Sequence, residues 1–183
     1  MTRDRVIKNY AYRLDHDTGF APHVMAEECT LCGCKTTTIE AWAKPGSWVV
    51  GIGGNRTGKP NRLIYAMEVE SNSTVAELRR LSPHLTSYLK GHKVDGRDVS
   101  ATAPILMSRR FYYFGESAIS LPTRLRQALI IPAQGCWSVS RKDIDRLVAH
   151  LEMNYPVGKH GDPNQPTPKT PTKCGCSRGV SKP

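Results

Sequence analysis

The sequence predicts an α+β fold: a small curved, mostly antiparallel sheet or partial β-barrel, with a C-terminal amphipathic helix and a disordered tail. Three observations predict it. Short runs alternating between apolar and polar residues recur through the first two-thirds of the chain, the pattern of half-buried strands. Helix signals are inserted between those runs or appended after them, which argues against a doubly wound parallel sheet. The composition then changes after Tyr155, where Pro156 to Pro183 holds six prolines and four glycines in 28 residues.

Val6 to Leu14 sets Tyr10, Tyr12 and Leu14 on one face and Asn9, Ala11 and Arg13 on the other. Trp48 to Ile52 is a short apolar run. Leu63 to Glu70 alternates again, with Leu63, Tyr65, Met67 and Val69 facing one way. Ile105 to Met107, Phe111 to Phe114 and Leu129 to Ile131 read as further strands. Two helices carry start signals. Thr74 with Glu77 is a capping box before Leu78, Leu81 and Leu85, and Pro83 should break that run. Ser140 with Asp143 opens a second helix, whose Ile144, Leu147, Val148 and Leu151 form one apolar stripe.

Gly53 to Lys59 matches the G-x4-G-K core of a phosphate loop. The next position, however, is Pro60, which has no hydroxyl to offer a magnesium ion, and the following segment alternates as a strand. A wide hairpin (strand 48–52, basic turn, strand 63–70) accounts for the segment without ATP hydrolysis. The folded unit is expected over residues 5–155 as a single domain. Residues 156–183 form a flexible basic tail, too poor in apolar side chains to offset its ordering entropy.

The 183 residues carry 26 Lys and Arg against 16 Asp and Glu, a formal charge of +10 with pI near 9.5. That balance favours an anionic partner, nucleic acid or nucleotide. No run approaches the roughly 18 apolar residues of a membrane span, and no apolar stretch follows the N-terminus as in a secretory signal. A cytoplasmic protein without a membrane partner is expected, and so cysteines that stay reduced.

Three cysteines cluster as Cys29, Cys32 and Cys34, and three readings of them stand. They could supply ligands to zinc, with His16, His23 or Cys136 as the fourth. One could be a low-pKa thiolate, helped by Lys35 and by Arg13 or His23. They could equally be buried cysteines in a turn. Upstream, the loop from Leu14 to His23 gathers Asp15, His16, Asp17, Thr18, Gly19, Phe20 and His23, a density of polar chemistry expected of a site loop. Downstream, Ser108-Arg109-Arg110-Phe111-Tyr112-Tyr113-Phe114-Gly115 joins two guanidiniums to four aromatic rings, the ingredients for stacking a base and meeting a phosphate.

The chain resembles the nucleotide modification associated domain family, the second of that numbered series. The matching stretches are Asp17-Thr18-Gly19-Phe20-Ala21-Pro22, Cys29-Thr30-Leu31 with Cys34-Lys35, and Ala43 to Gly51 leading into Leu63-Ile64-Tyr65-Ala66-Met67. Arg110 to Gly115 with Ala118-Ile119 completes the set. Gly46-Ser47 stands where the family usually has Gly-Asp, and Cys32 is additional to the family's thiols. The resemblance implies a role in modifying bases in DNA. More distantly, Pro45 to Gly51 and the strand ending Met67-Glu68-Val69-Glu70 are similar to PUA-like folds, including modified-base readers of the EVE and ASCH kind.

The expected function is a nucleic-acid or nucleotide binding module associated with DNA base modification, holding a base in an aromatic and basic pocket. Its ligand-binding candidates are Tyr12, Arg13, Asp17, Thr18, Gly19, Phe20, Lys35, Trp48, Arg109, Tyr112 and Tyr113, with phosphate contacts from the 56–62 loop and the tail. The alternative is a thiol- or metal-dependent enzyme acting on a nucleotide or modified base. In it, Cys29 or Cys34 is the nucleophile or metal ligand, and His23, His16 or Asp17 is the acid or base. A third possibility is a structural or protein-interaction domain. The first two need the 15–34 segment and the 109–115 strand to meet at one hollow.

Overall fold

Alternation along a strand gives a sheet two different faces, and here both faces of two sheets are covered. The computed structural model describes residues 7–32, 39–90, 93–94, 97–129 and 135–164. The larger sheet contains β1 (Asn9–Leu14), β4 (Trp48–Gly53), β5 (Leu63–Glu68), β10 (Phe111–Tyr113), β11 (Cys136–Val139) and β12 (Gly158–Lys159), in the order β11-β1-β4-β5-β10-β12. The smaller contains β2 (His23–Met25), β3 (Glu28–Cys32), β6 (Ser71–Thr74) and β9 (Pro104–Ser108), in the order β2-β3-β9-β6. A separate two-stranded ladder pairs β7 (Lys93–Val94) with β8 (Arg97–Asp98). Pairing is antiparallel except between β1 and β4 and between β10 and β12.

The two sheets share one bent hairpin. β5 runs into β6 and β9 into β10, so a single antiparallel ladder turns a corner. The Glu68 amide donates to the Arg110 carbonyl at 3.0 Å and the Glu70 amide to Met107 at 2.9 Å, so pairing continues through the bend. Strands that switch sheets in this way make the corners of orthogonal packings. The mixed α/β architecture expected from sequence is present, as two mostly antiparallel sheets that do not close into a barrel.

Three cores follow from the alternation. Between the sheets lie Tyr10, Tyr12 and Leu14 of β1, Tyr65 and Met67 of β5, Phe111 and Tyr113 of β10, and Cys29, Leu31 and Leu106 from the smaller sheet. The opposite face of the larger sheet presents Ala11, Trp48, Val50, Ala66 and Tyr112 to α3 (Thr123–Leu129) and α4 (Arg141–Asn154). The outer face of the smaller sheet presents Cys32 and Ile105 to Val75 and Leu78 of α2 (Val75–Leu81) and to Leu85 and Leu89 of the 3-10 segment Pro83–Leu89. A short α1 (Ile39–Trp42) adds Ile39 to the core between the sheets. Truncating any one of the α4 leucines, Leu147 or Leu151, should cost roughly 2–5 kcal/mol, because both are fully buried.

Both caps form as expected: Thr74 Oγ1 accepts from the Glu77 amide at 3.2 Å, and Ser140 Oγ from the Asp143 amide at 3.1 Å. α2 stops at Leu81, two residues before Pro83. β4 and β5 form the expected hairpin around a turn that includes the 3-10 segment Asn55–Thr57.

Several expectations are corrected. Leu129 ends α3 rather than beginning a strand, its side chain buried against α4; Ile130 and Ile131 lie outside the described residues. The register irregularity at Gly51 and Ile52 turns Leu63 to the helical face and Ile64 to the core between the sheets, opposite to simple alternation. Gly51 is required there, since a Cβ would sit 2.3 Å from the Tyr65 ring and 2.5 Å from Leu14. Cys29 to Cys32 is strand β3, not a turn. The chain also stays packed beyond Tyr155. β12 pairs with β10, the Glu116 amide donates to the Asp162 carbonyl at 2.8 Å, and the His160 ring stacks on Phe114 at 5.0 Å. Residues 165–183, where the rest of the expected tail lies, are outside the described set. Among the described residues no helix is long and apolar enough to cross a membrane.

Candidate functional site

β1 and β4 are parallel neighbours, so the loops leaving their C-terminal ends emerge side by side. The Gly54 amide donates to the Leu14 carbonyl at 2.8 Å, joining the start of one loop to the start of the other. Arg13 Nη2 donates to Asn61 Oδ1 at 3.1 Å. The Asn164 backbone amide donates to Asp17 Oδ2 at 3.1 Å while its side-chain amide donates to the Thr57 carbonyl. The C-terminal segment therefore ties the 15–22 loop to the 54–62 loop.

Asp17 is 1% exposed and takes three donors: the Tyr113 hydroxyl at 2.7 Å, the Asn164 amide and the Gly19 amide. Burial raises its pKa above the usual carboxylate value, and the three donors offset only part of that rise. Tyr113 is pushed up in turn, by burial first and by the Asp17 carboxylate second. Gly19, at φ +76, lets the loop turn here, and a Cβ would lie 2.6 Å from Pro163. The acid expected near the first strand thus does meet the aromatic strand about a hundred positions later.

His23 closes the loop on its other side. Its Nδ1 lies 2.7 Å from the Gly19 carbonyl, which can only accept, so Nδ1 carries the proton. Burial holds the imidazole pKa below its ordinary value. The ring stacks on Tyr88 with centroids 3.8 Å apart; Phe20 meets Tyr88 edge-on at 5.5 Å, and the Tyr88 hydroxyl bonds Thr30 Oγ1 at 3.0 Å. Tyr88 was invisible as a partner in the sequence, because only the fold brings the 83–89 segment against β2.

The cysteines do not make one site. Cys29 and Cys32, three positions apart on β3, face opposite sides of the smaller sheet and belong to different cores. They do not fit a single zinc coordination sphere, and among the described residues no three His, Cys, Asp or Glu side chains gather as a metal site. Nor is either a low-pKa thiolate. Burial raises both thiols, Cys32 to about 12 with Glu40 adding to the rise, and Cys29 further still. Cys29 Sγ lies against Met67 Sδ at 4.0 Å. Cys34 and Lys35 lie outside the described residues.

The aromatic strand is also interior. Phe111, Tyr112, Tyr113 and Phe114 are each at most 1% exposed, and Trp48 is 3% exposed. Tyr112 and Trp48 face the helices, whereas Tyr12 and Tyr113 face the core between the sheets, where the Tyr12 hydroxyl bonds that of Tyr65 at 2.7 Å. The expected ring set is split across the two faces of one sheet and offers no common stacking surface.

Arginines mark two surface hollows at the two ends of the β4–β5 hairpin. At the corner end, a hollow of about 420 Å³ is lined by Pro45, Gly46, Glu68, Val69, Glu70, Arg109 and Arg110. Arg109 pairs there with Glu70 at 2.8 Å and Glu28 at 3.3 Å, while Arg110 pairs with Glu68 at 2.6 Å and Glu152 at 2.5 Å. The Arg110 guanidinium also lies 5.4 Å above the Trp48 ring. Arg109, expected to meet phosphate, is already held between two carboxylates. At the loop end, a cleft of about 470 Å³ is lined by Pro60, Asn61, Arg62, Ser120 and Arg126, with no carboxylate among them.

A family model described as nucleotide modification associated domain 2 matches residues 6–89 and 80–170. Neither the curated proteins nor the solved structures include a match. The two matched stretches take in the Asp17 loop, the two larger sheets and the four α-helices of the described residues. The chain belongs to the nucleotide modification associated domain 2 family.

Proposed function

We propose that the chain is a cytoplasmic binding module that holds a nucleic acid or nucleotide in the course of DNA base modification. The observation that carries this reading is the chemistry left at the surface. Both described β3 thiols are interior with raised pKa values, whereas the acid-free cleft at Arg62 and Arg126 is open. A cleft that offers two guanidiniums, with no cysteine among its lining residues, suits an anion. Family membership supports a nucleotide as the source of that anion. The similarity of Pro45 to Gly51 and Met67 to Glu70 to PUA-like segments supports a modified base as the moiety distinguished.

Binding runs through the 54–62 loop and the cleft beside it, with Arg13 and the Asp17 loop as its supporting frame. Tyr113 packs beneath that frame and bonds Asp17, whereas Trp48 and Tyr112 pack against the helices on the other face of the sheet. The alternative of a thiol enzyme rests on Cys34; an alkylation rate there typical of a thiol with pKa near 8.5 would remove it.

A thermal-shift screen across canonical and modified nucleotides tests the proposal. A ligand that binds only the folded chain raises Tm by mass action, by an amount that grows with its concentration. No shift from any nucleotide, together with no retention of single-stranded or duplex DNA at low salt, would overturn it.

A further inference from the structure

We infer that the cleft between the 60–62 turn and α3 is a phosphate site, in which Arg62 and Arg126 together grip one phosphate group of the bound nucleotide or strand. This inference rests on the binding function proposed above and names the group that the site takes.

Two acid-free stretches of the chain meet at this cleft. No Asp or Glu occurs from Ala41 to Met67 or from Ser117 to Lys142, although the first carries Arg56, Lys59 and Arg62 and the second Arg124, Arg126, Arg141 and Lys142. Each stretch supplies one wall. An isolated antiparallel bridge between Leu63 and Ile119 locks the walls together, with the Leu63 amide donating to Ile119 at 2.9 Å and the Ile119 amide to Leu63 at 3.2 Å.

The donors are partly preset. Arg62 Nη1 donates to the Ala118 carbonyl at 3.1 Å, which lays the guanidinium across the gap and leaves its other N–H groups to donate. Asn61, in the left-handed region at φ 59, accepts from Arg13 at its Oδ1 and keeps its Nδ2 as a donor. Ser120 adds a hydroxyl. Arg126 stands on the last turn of α3, and among the described residues neither it nor Arg62 is in an ion pair. Two guanidiniums converging from different elements, one already tethered, suit a tetrahedral dianion or a phosphodiester better than a carboxylate, because the oxygens of phosphate can accept from both forks at once.

The test uses the full chain and two probes that separate the sources of phosphate. One is adenosine 5′-monophosphate; the other is a fluorescent single-stranded oligodeoxynucleotide without a terminal phosphate. Affinities are measured over a salt series for the wild type, Arg126→Gln, Arg62→Lys and, as a control at the other end of the hairpin, Arg109→Gln. The Arg126 side chain makes no described polar contact within the fold, so its replacement should leave Tm unchanged. For whichever probe the site takes, Arg126→Gln is expected to lose about tenfold or more in affinity. On the oligonucleotide its salt slope should fall by about 0.7. Arg62→Lys keeps the charge but loses the fork, and should lose affinity without that change of slope.

Arg109→Gln should behave as wild type. If the wild type binds either probe and the Arg126 and Arg62 variants bind it equally well, the cleft is not the phosphate site while the binding function stands. If the wild type binds neither, the phosphate site falls, and the binding function falls with it only if the screen of canonical and modified nucleotides and DNA is also negative.

Discussion

At one end of the β4–β5 hairpin, Arg109 and Arg110 face Glu28, Glu68, Glu70 and Glu152. At the other end, on the order of 20 Å away along the strands, Arg62 and Arg126 face no carboxylate among the described residues. The sequence invites the opposite ranking, because Arg109-Arg110 stands beside four aromatic residues while Arg62 and Arg126 look like ordinary surface cations. What decides between them is which charges the fold has already spent on one another. Guanidiniums gripped by two carboxylates hold the corner where the sheets join, and the other pair enters no ion pair among the described residues.

The largest effect expected at the loop end is structural. Asp17→Ala removes the acceptor shared by the Tyr113 hydroxyl and the Asn164 and Gly19 amides, and should cost about 3 kcal/mol in denaturant unfolding. A loss under about 1 kcal/mol would mean that water replaces the carboxylate without penalty. Next comes the double variant Arg62→Gln/Arg126→Gln. It should weaken oligonucleotide binding on the order of 100-fold by anisotropy, against no change for Arg109→Gln/Arg110→Gln. Equal losses from the two doubles would erase the distinction between the ends.

At the corner the effects are smaller and fall on stability. Arg110→Ala should cost about 1 kcal/mol, since it loses two ion pairs and its seat on Trp48, and Arg109→Ala less, its side chain being 59% exposed. The reverse order in chemical melts would show that the Trp48 contact contributes nothing.

The smallest expected effect is one of pH. His23 is a base whose folded pKa lies below its ordinary value, so the unfolded chain binds more protons in that range. Its contribution is complete above the unfolded value near 6.5 and is lost as pH falls through 6.5 toward the folded value. Tm of the wild type should therefore drop from pH 7.5 to 5.5 by more than that of His23→Phe, which cannot titrate. Parallel drops would place the effect elsewhere.

Local features were legible where local physics decides them. Thr74 and Ser140 cap their helices because a hydroxyl three residues before an amide needs no tertiary help. Tyr10, Tyr12 and Leu14 share a face because strand geometry leaves no other choice. Non-local facts were not legible. Nothing near Cys29 and Cys32 says that β3 lies between two cores, so their spacing resembled a ligand cluster although their side chains diverge.

Likewise, Glu28 and Glu70 reach Arg109 only because β3 and the end of β5 converge on the same corner. One non-local signal was present and readable. The absence of acids from Ala41 to Met67 and from Ser117 to Lys142 is visible in the bare sequence, and it marks both walls of the cleft.

The place of β1 in its sheet bears on how the chain is made. β1 leaves the ribosome more than a hundred residues ahead of one of its neighbours, β11, which ends at Val139, and the Asp17 loop beyond β1 awaits Asn164. Until β11 has been synthesised, one side of β1 has unsatisfied hydrogen-bonding groups and invites pairing with another nascent chain. Products cut short before Cys136 should therefore self-associate, whereas those ending just past Asn164 should stay dispersed.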